Sequence, residues 1–141
     1  MRTRFEKPHI KRTVFRAASI ERWKDANCLH AAGRFQGAIY LCGYALECKL
    51  KYCVCVALGI SRMEESEAKK LGHGLLELLN RAGMTTLLSG NRALLVAFHD
   101  INERWSTEIR YSGGISSERE SERFLREAEW LLGWLETESR S

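Results

Sequence analysis

The chain has 141 residues, of which 45% are hydrophobic and 28% charged, and it carries a formal net charge of +4. That length suits one domain with a core large enough to fold without a metal or a disulfide, and the composition excludes the disordered class. No apolar run reaches the length of a membrane span, and the first residues lack the apolar core of a signal peptide, so a cytoplasmic chain with no membrane contact is expected.

The charge is unevenly spread. Residues 1–16 hold Arg2, Arg4, Lys7, Lys11, Arg12 and Arg16 against Glu6 alone, together with the only proline, Pro8. This segment reads as a basic N-terminal arm. It is either a solvated, partly disordered terminus or a stretch able to track a phosphate backbone.

Residues 17–137 read as an all-α domain, an antiparallel up-and-down bundle of four to five helices. Gly33 separates a first helix, 17–32, from a second, 34–58, which Gly59 closes. A charged stretch from Glu64 to Lys70 leads to Gly72-His73-Gly74 and a short helix through Arg81, stopped by Gly83. A further helix is expected from Asn91 to Ile109, where Leu94, Phe98, Ile101 and Trp105 form one apolar stripe. Gly113-Gly114 breaks the chain, and Ser117 with Glu120 has the spacing of a capping box for a last helix to Glu136. Its apolar stripe is Phe124, Ala128, Leu131 and Leu135. No period-2 strand and no internal repeat is evident.

The second helix is apolar almost all round, as in a helix central to a bundle or covered by a partner subunit. It contains four of the five cysteines, Cys42, Cys48, Cys53 and Cys55, with Cys28 in the helix before it. None has the paired spacing of a zinc site, so all five read as small buried hydrophobes and no metal is expected. One polar strip remains. At about 100° per residue, Gln36, Tyr40, Tyr44, Glu47 and Lys51 share about 80° of arc. Glu47 and Lys51 have the spacing of a helix ion pair. The strip is either that ion pair with two tyrosines bridging core and solvent, or a tyrosine-lined groove for a base or phosphate.

Gly72-His73-Gly74 lacks the strand and the Lys-Ser/Thr of a phosphate loop, and His73 is placed either to cap the short helix or to reach a neighbouring one. Zinc-protease, serine-hydrolase and two-metal nuclease signatures are absent, so any catalysis is expected to be metal-independent and to need no cofactor. Arg92 and His99, seven apart, share a helix face at roughly 10 Å along the axis, and Glu103 and Arg110 continue it if the helix persists. That face is either solvated or equipped for metal-free RNA cleavage, the histidine moving the 2′-hydroxyl proton and arginine neutralising the phosphorane. At that separation a second subunit would have to complete the site.

Three blocks resemble the HEPN domain family. The run Gly37-Ala38-Ile39-Tyr40-Leu41-Cys42-Gly43-Tyr44-Ala45-Leu46-Glu47-Cys48-Lys49-Leu50-Lys51 is similar to its second helix. Gly72-His73-Gly74-Leu75-Leu76-Glu77-Leu78 is similar to its Thr-His-Asp-Leu segment, with Gly74 in the aspartate position. Arg110-Tyr111-Ser112 resembles its Arg-Tyr-Pro turn, with Ser112 in the proline position. Active members carry an arginine and a histidine with four to six residues between them; Arg92 and His99, with six between, meet that spacing, although Ala93 stands where a polar residue is usual. The resemblance implies a homodimer associated with RNA or nucleotides. It further implies either a metal-independent endoribonuclease of a toxin–antitoxin or defence system, or a non-catalytic nucleotide-binding or protein-interaction module. A nucleotidyltransferase-type antitoxin is the implied partner of the nuclease. In the nuclease, His99 is the general base or acid, Arg92 and Arg110 clamp phosphate, and Glu47 or Tyr111 orients. In either form Tyr40, Tyr44, Glu47, Lys51, His73 and Tyr111 are the candidate substrate- or nucleotide-binding residues.

Overall fold

A computed structural model describes residues 7–105 and 116–140. The fold is an all-α bundle, as the apolar periodicity requires. Among the described residues the four long helices are α1 (Arg12–Ala31), α2 (Phe35–Leu58), α6 (Arg92–Arg104) and α7 (Glu118–Arg140). Three short helices, α3 (Glu65–Leu71), α4 (Leu75–Arg81) and α5 (Thr85–Ser89), connect α2 to α6. The central position of α2 follows from its composition. It packs against α1, α4 and α7, and Ala38, Cys42, Ala45, Leu46, Leu50 and Cys55 lie fully inside the core. Both apolar stripes face the same core, for Phe98, Ile101, Trp105, Phe124, Ala128, Leu131 and Leu135 are all buried.

Helix ends follow local chemistry. Gly59 takes a left-handed φ of 67°, and its N–H reaches back to the carbonyls of Cys55 and Val56, a conformation that costs glycine nothing. The capping box forms as its spacing predicts: Glu120 N–H donates to Ser117 Oγ at 3.1 Å, and the Ser117 N–H donates to Glu120 Oε1 at 3.4 Å.

Several expectations need correction. Helix α1 begins at Arg12 rather than residue 17, so the second half of the basic segment belongs to the folded body. Before it, β1 (His9–Lys11) pairs antiparallel with β2 (Arg62–Glu64), with Ile10 opposite Met63. Three-residue strands are too short to show a period of two, and their partners lie far apart in sequence. Helix α7 runs past Glu136 to Arg140. Helix α6 ends at Arg104, and Trp105 leaves the helical region with φ −91° and ψ 62°. Ile109, Arg110, Tyr111, Ser112 and Gly113-Gly114 lie outside the described residues. Cys42, Cys53 and Cys55 are buried as expected, Cys48 is half-buried, and Cys28 is exposed.

Candidate functional site

The polar strip of α2 forms a connected polar cluster around Glu47. Glu47 is only 4% exposed, and burying a carboxylate is costly unless charged or hydrogen-bonding groups meet it. Both oxygens are met. Lys51 Nζ donates to Oε2 at 3.3 Å, one helical turn away, and His73 Nδ1 stands 2.8 Å from Oε1. His73 therefore reaches the neighbouring helix; the start of α4 has no side-chain cap. With Nδ1 turned to the carboxylate, Nε2 is the ring nitrogen left to face outward, on a side chain 55% exposed. A carboxylate that fixes one imidazole nitrogen sets the tautomer and orientation of the other, which is the arrangement a hydrogen-bonding or proton-transferring histidine needs.

Aromatic groups continue the strip. The Tyr40 and Tyr44 hydroxyls are 3.3 Å apart. The Tyr44 ring meets His73 and Trp105 edge to face, at centroid distances of 6.3 and 5.3 Å. The Trp105 indole N–H donates to the Tyr40 carbonyl at 3.1 Å. Gly43 makes this seat, because a Cβ there would lie 2.0 Å from Trp105 Nε1. A small residue at the edge of the strip thus lets the ring lie directly on the α2 backbone.

Lys51 and His73 also line a cavity of about 360 Å³ with Lys69, Glu65, Gly72 and Phe15. Its cations and apolar floor suit an anionic ligand with a flat or apolar part. Five of the candidate binding residues, Tyr40, Tyr44, Glu47, Lys51 and His73, therefore belong to one connected group. Gln36, from the first turn of the same strip, receives a hydrogen bond from Ser116 Oγ at 3.3 Å.

Arg92 and His99 stand apart from that group. Both are exposed on α6, and neither has a hydrogen bond or ion pair to a described residue. The hydrogen bonds of Glu47, named above as an orienting group for the nuclease, go to His73 and Lys51. Arg110 and Tyr111 are outside the described residues.

Sequence reasoning missed the residue following His99. Asp100 Oδ2 is buried without a hydrogen-bond donor. Arg123 Nε lies 3.2 Å from it but gives its single N–H to Glu127 Oε1 at 3.1 Å. A proton on Glu127 supplies the missing donor. Burial, then the hydrogen bond and charge of Asp100, push the Glu127 carboxyl up to about 7. Burial raises Asp100 too, but hydrogen bonds from Glu127 and Arg104 and the charges of Arg104 and Arg123 outweigh it and hold that carboxyl below its ordinary value. No periodicity in either helix signals this pair, which exists only where α6 and α7 cross.

Among the described residues no group of three or more His, Cys, Asp or Glu is placed to hold a metal ion, and no helix is long and apolar enough to cross a membrane. Comparison of the chain with protein-family models, curated proteins and solved structures finds no match.

Proposed function

We propose that this chain is a HEPN-type domain associated with RNA or nucleotides, and that its ligand meets the protein beside Glu47, His73, Lys51 and Tyr44. The observation that carries this reading is the buried Glu47 carboxylate, which holds a histidine from a distant segment and a lysine from its own helix at the edge of a cavity. Lys51 and Lys69 match the charge of a phosphate, and the tyrosine rings offer apolar surface to a base. In its simplest form this is a non-catalytic binding module. The test is fluorescence anisotropy with a labelled single-stranded RNA and with a mononucleotide competitor, in EDTA. Lys51→Gln and His73→Ala should weaken binding by about tenfold each, the loss of one good polar contact. Affinities unchanged in folded variants would refute this placement.

A second reading is a metal-independent endoribonuclease of a toxin–antitoxin or defence system. It is favoured by the exposure of Arg92 and His99 on one helix, where neither forms an ion pair with a described residue. His99 takes the 2′-hydroxyl proton, Arg92 steadies the phosphate with Arg110, and a second copy completes the site in a homodimer. A nucleotidyltransferase-type antitoxin would be the partner that silences it. RNA cleavage in EDTA, lost in both His99→Ala and Arg92→Ala, would establish this reading; an inert wild-type dimer would leave the binding module.

A further inference from the structure

On the other side of α2, a second group of charges surrounds an open cavity. Lys49 follows Glu47 by two residues and so points about 200° away from it. Its side chain is 93% buried, being 7% exposed, and its ammonium pairs with Glu136 of α7. The same carboxylate receives Arg16 of α1, with Nη2 at 2.6 Å from Oε1 and Nε at 3.3 Å from Oε2. It also receives Arg140 of α7, with Nη2 at 2.7 Å and Nε at 3.1 Å from Oε1. Three cations thus converge on one carboxylate.

Each of these three side chains lines a cavity of about 410 Å³ between α1 and α7, whose acidic walls among the described residues are Glu136 and Glu129. Glu129 is exposed and makes no ion pair with a described residue. Even counting both carboxylates, the cavity retains an excess positive charge, and one of its cations is held away from water. Burial, and to a lesser degree the charges of Arg16 and Arg140, lower the Lys49 pKa, while Cys53 acts the other way. A further anion would relieve that crowding. Beside Ser19, whose hydroxyl donates to the Ala45 carbonyl, the remaining side chains of the wall are apolar: Ile20, itself 43% exposed, with Trp23 and Leu132. Gly133 leaves space there, since a Cβ built on it meets nothing within 4 Å.

We propose that this cavity binds a small organic phosphate monoester. Its dianion sits against Arg16, Lys49 and Arg140, and a flat apolar body lies over Gly133 along Trp23, Ile20 and Leu132. The volume lies within the range of small-molecule sites. Guanidinium groups suit the forked geometry of phosphate oxygens, and the partly desolvated setting strengthens each contact. The site shares no residue with the Glu47 cluster and does not rest on the function proposed above.

Phenyl phosphate and inorganic phosphate are the probes, titrated against the full chain by calorimetry and by thermal shift at low salt. The wild type should bind phenyl phosphate saturably, with a rise in Tm, and bind inorganic phosphate more weakly because the apolar wall goes unused. Arg140→Gln removes a side chain 69% exposed, so it should preserve the fold and weaken both probes by about tenfold. Gly133→Leu keeps every charge and favours the helix, yet fills the floor and should abolish the preference for phenyl phosphate. The proposal is overturned by the absence of saturable binding below about 10 mM, or by binding unchanged in both variants. Binding lost in Lys51→Gln and retained in Arg140→Gln would also overturn it, by placing the ligand at the Glu47 cluster.

Discussion

The contact between Gly43 and Trp105 makes a quantitative prediction whose sign depends on context. In Gly43→Ala the new methyl would overlap the indole ring at 2.0 to 2.2 Å from three of its atoms. The ring must retreat by more than an ångström, and it is only 4% exposed, so it has no solvent side to yield into without losing burial. Overpacking of this kind costs about 1–3 kcal/mol, and losing the hydrogen bond to the Tyr40 carbonyl adds about 1 kcal/mol. The helix itself gains about 0.5–1 kcal/mol when alanine replaces an interior glycine. The net expectation is a destabilisation of about 2 kcal/mol, read as a lower urea midpoint and a Tm lower by several degrees. Trp105→Ala alone should cost about 3 kcal/mol through the cavity it leaves. In that background Gly43→Ala meets no ring, and the helix term alone should make it stabilising by about 0.5–1 kcal/mol. A double-mutant cycle therefore predicts a change of sign. If Gly43→Ala destabilises equally with and without Trp105, the seat of the ring on α2 is not what requires glycine at position 43.

Two further outcomes can be checked directly. The Glu127 carboxyl titrates near pH 7 in the folded protein against an ordinary value of 4.5. Its proton therefore stabilises the fold fully below pH 4.5, and the contribution is lost as the pH rises through 7; Glu127→Gln, a permanent donor to Asp100, should flatten the denaturation midpoint over that window, and parallel wild-type and variant profiles would contradict the shared proton. Among the five thiols only Cys28 is exposed, whereas burial raises the Cys42 thiol and pushes Cys53 up to about 11; Ellman's reagent should label one cysteine quickly in native protein and the core thiols only on unfolding, and Cys28→Ser should remove the fast phase.

Much of the architecture is legible in one sequence because its signals are local. Gly33 and Gly59 bracket α2, Ser117 and Glu120 mark the start of α7, and the two apolar stripes select one face each. The strip Tyr40–Tyr44–Glu47–Lys51 also follows from helical geometry alone. What meets the strip does not. His73 reaches Glu47 only because the chain returns to pack α4 on α2, and nothing in the intervening residues encodes that return as a period or a spacing. The strands are hidden for the same reason, since Ile10 finds Met63 through tertiary placement. Basic residues in the segment Arg12–Arg16 resemble a solvated arm in composition, yet Phe15 is 7% exposed and fixes that turn of α1 to the core. Lys49 is the plainest case. A lysine within an apolar helix reads as a chance interruption until Glu136, 87 residues later, lies against it.

That lysine also separates two physical roles for a buried charge. Removing one member of a buried ion pair commonly costs about 3–5 kcal/mol, because the other member is left uncompensated. Glu136 differs, since Arg16 and Arg140 both remain on it after Lys49→Met. The ammonium's own pair with Glu136, its packing on the Tyr52 ring, 5.1 Å away, and the cost of its desolvation are then lost together, and the last of these losses is favourable. Lys49→Met should accordingly leave stability within about 1 kcal/mol of wild type, or raise it. The same substitution should abolish phenyl phosphate binding. A loss of stability approaching that of a broken pair would make Lys49 a structural tie among α1, α2 and α7. Stability retained with binding lost would mean that the cost of burying this charge is offset by a ligand rather than by the fold.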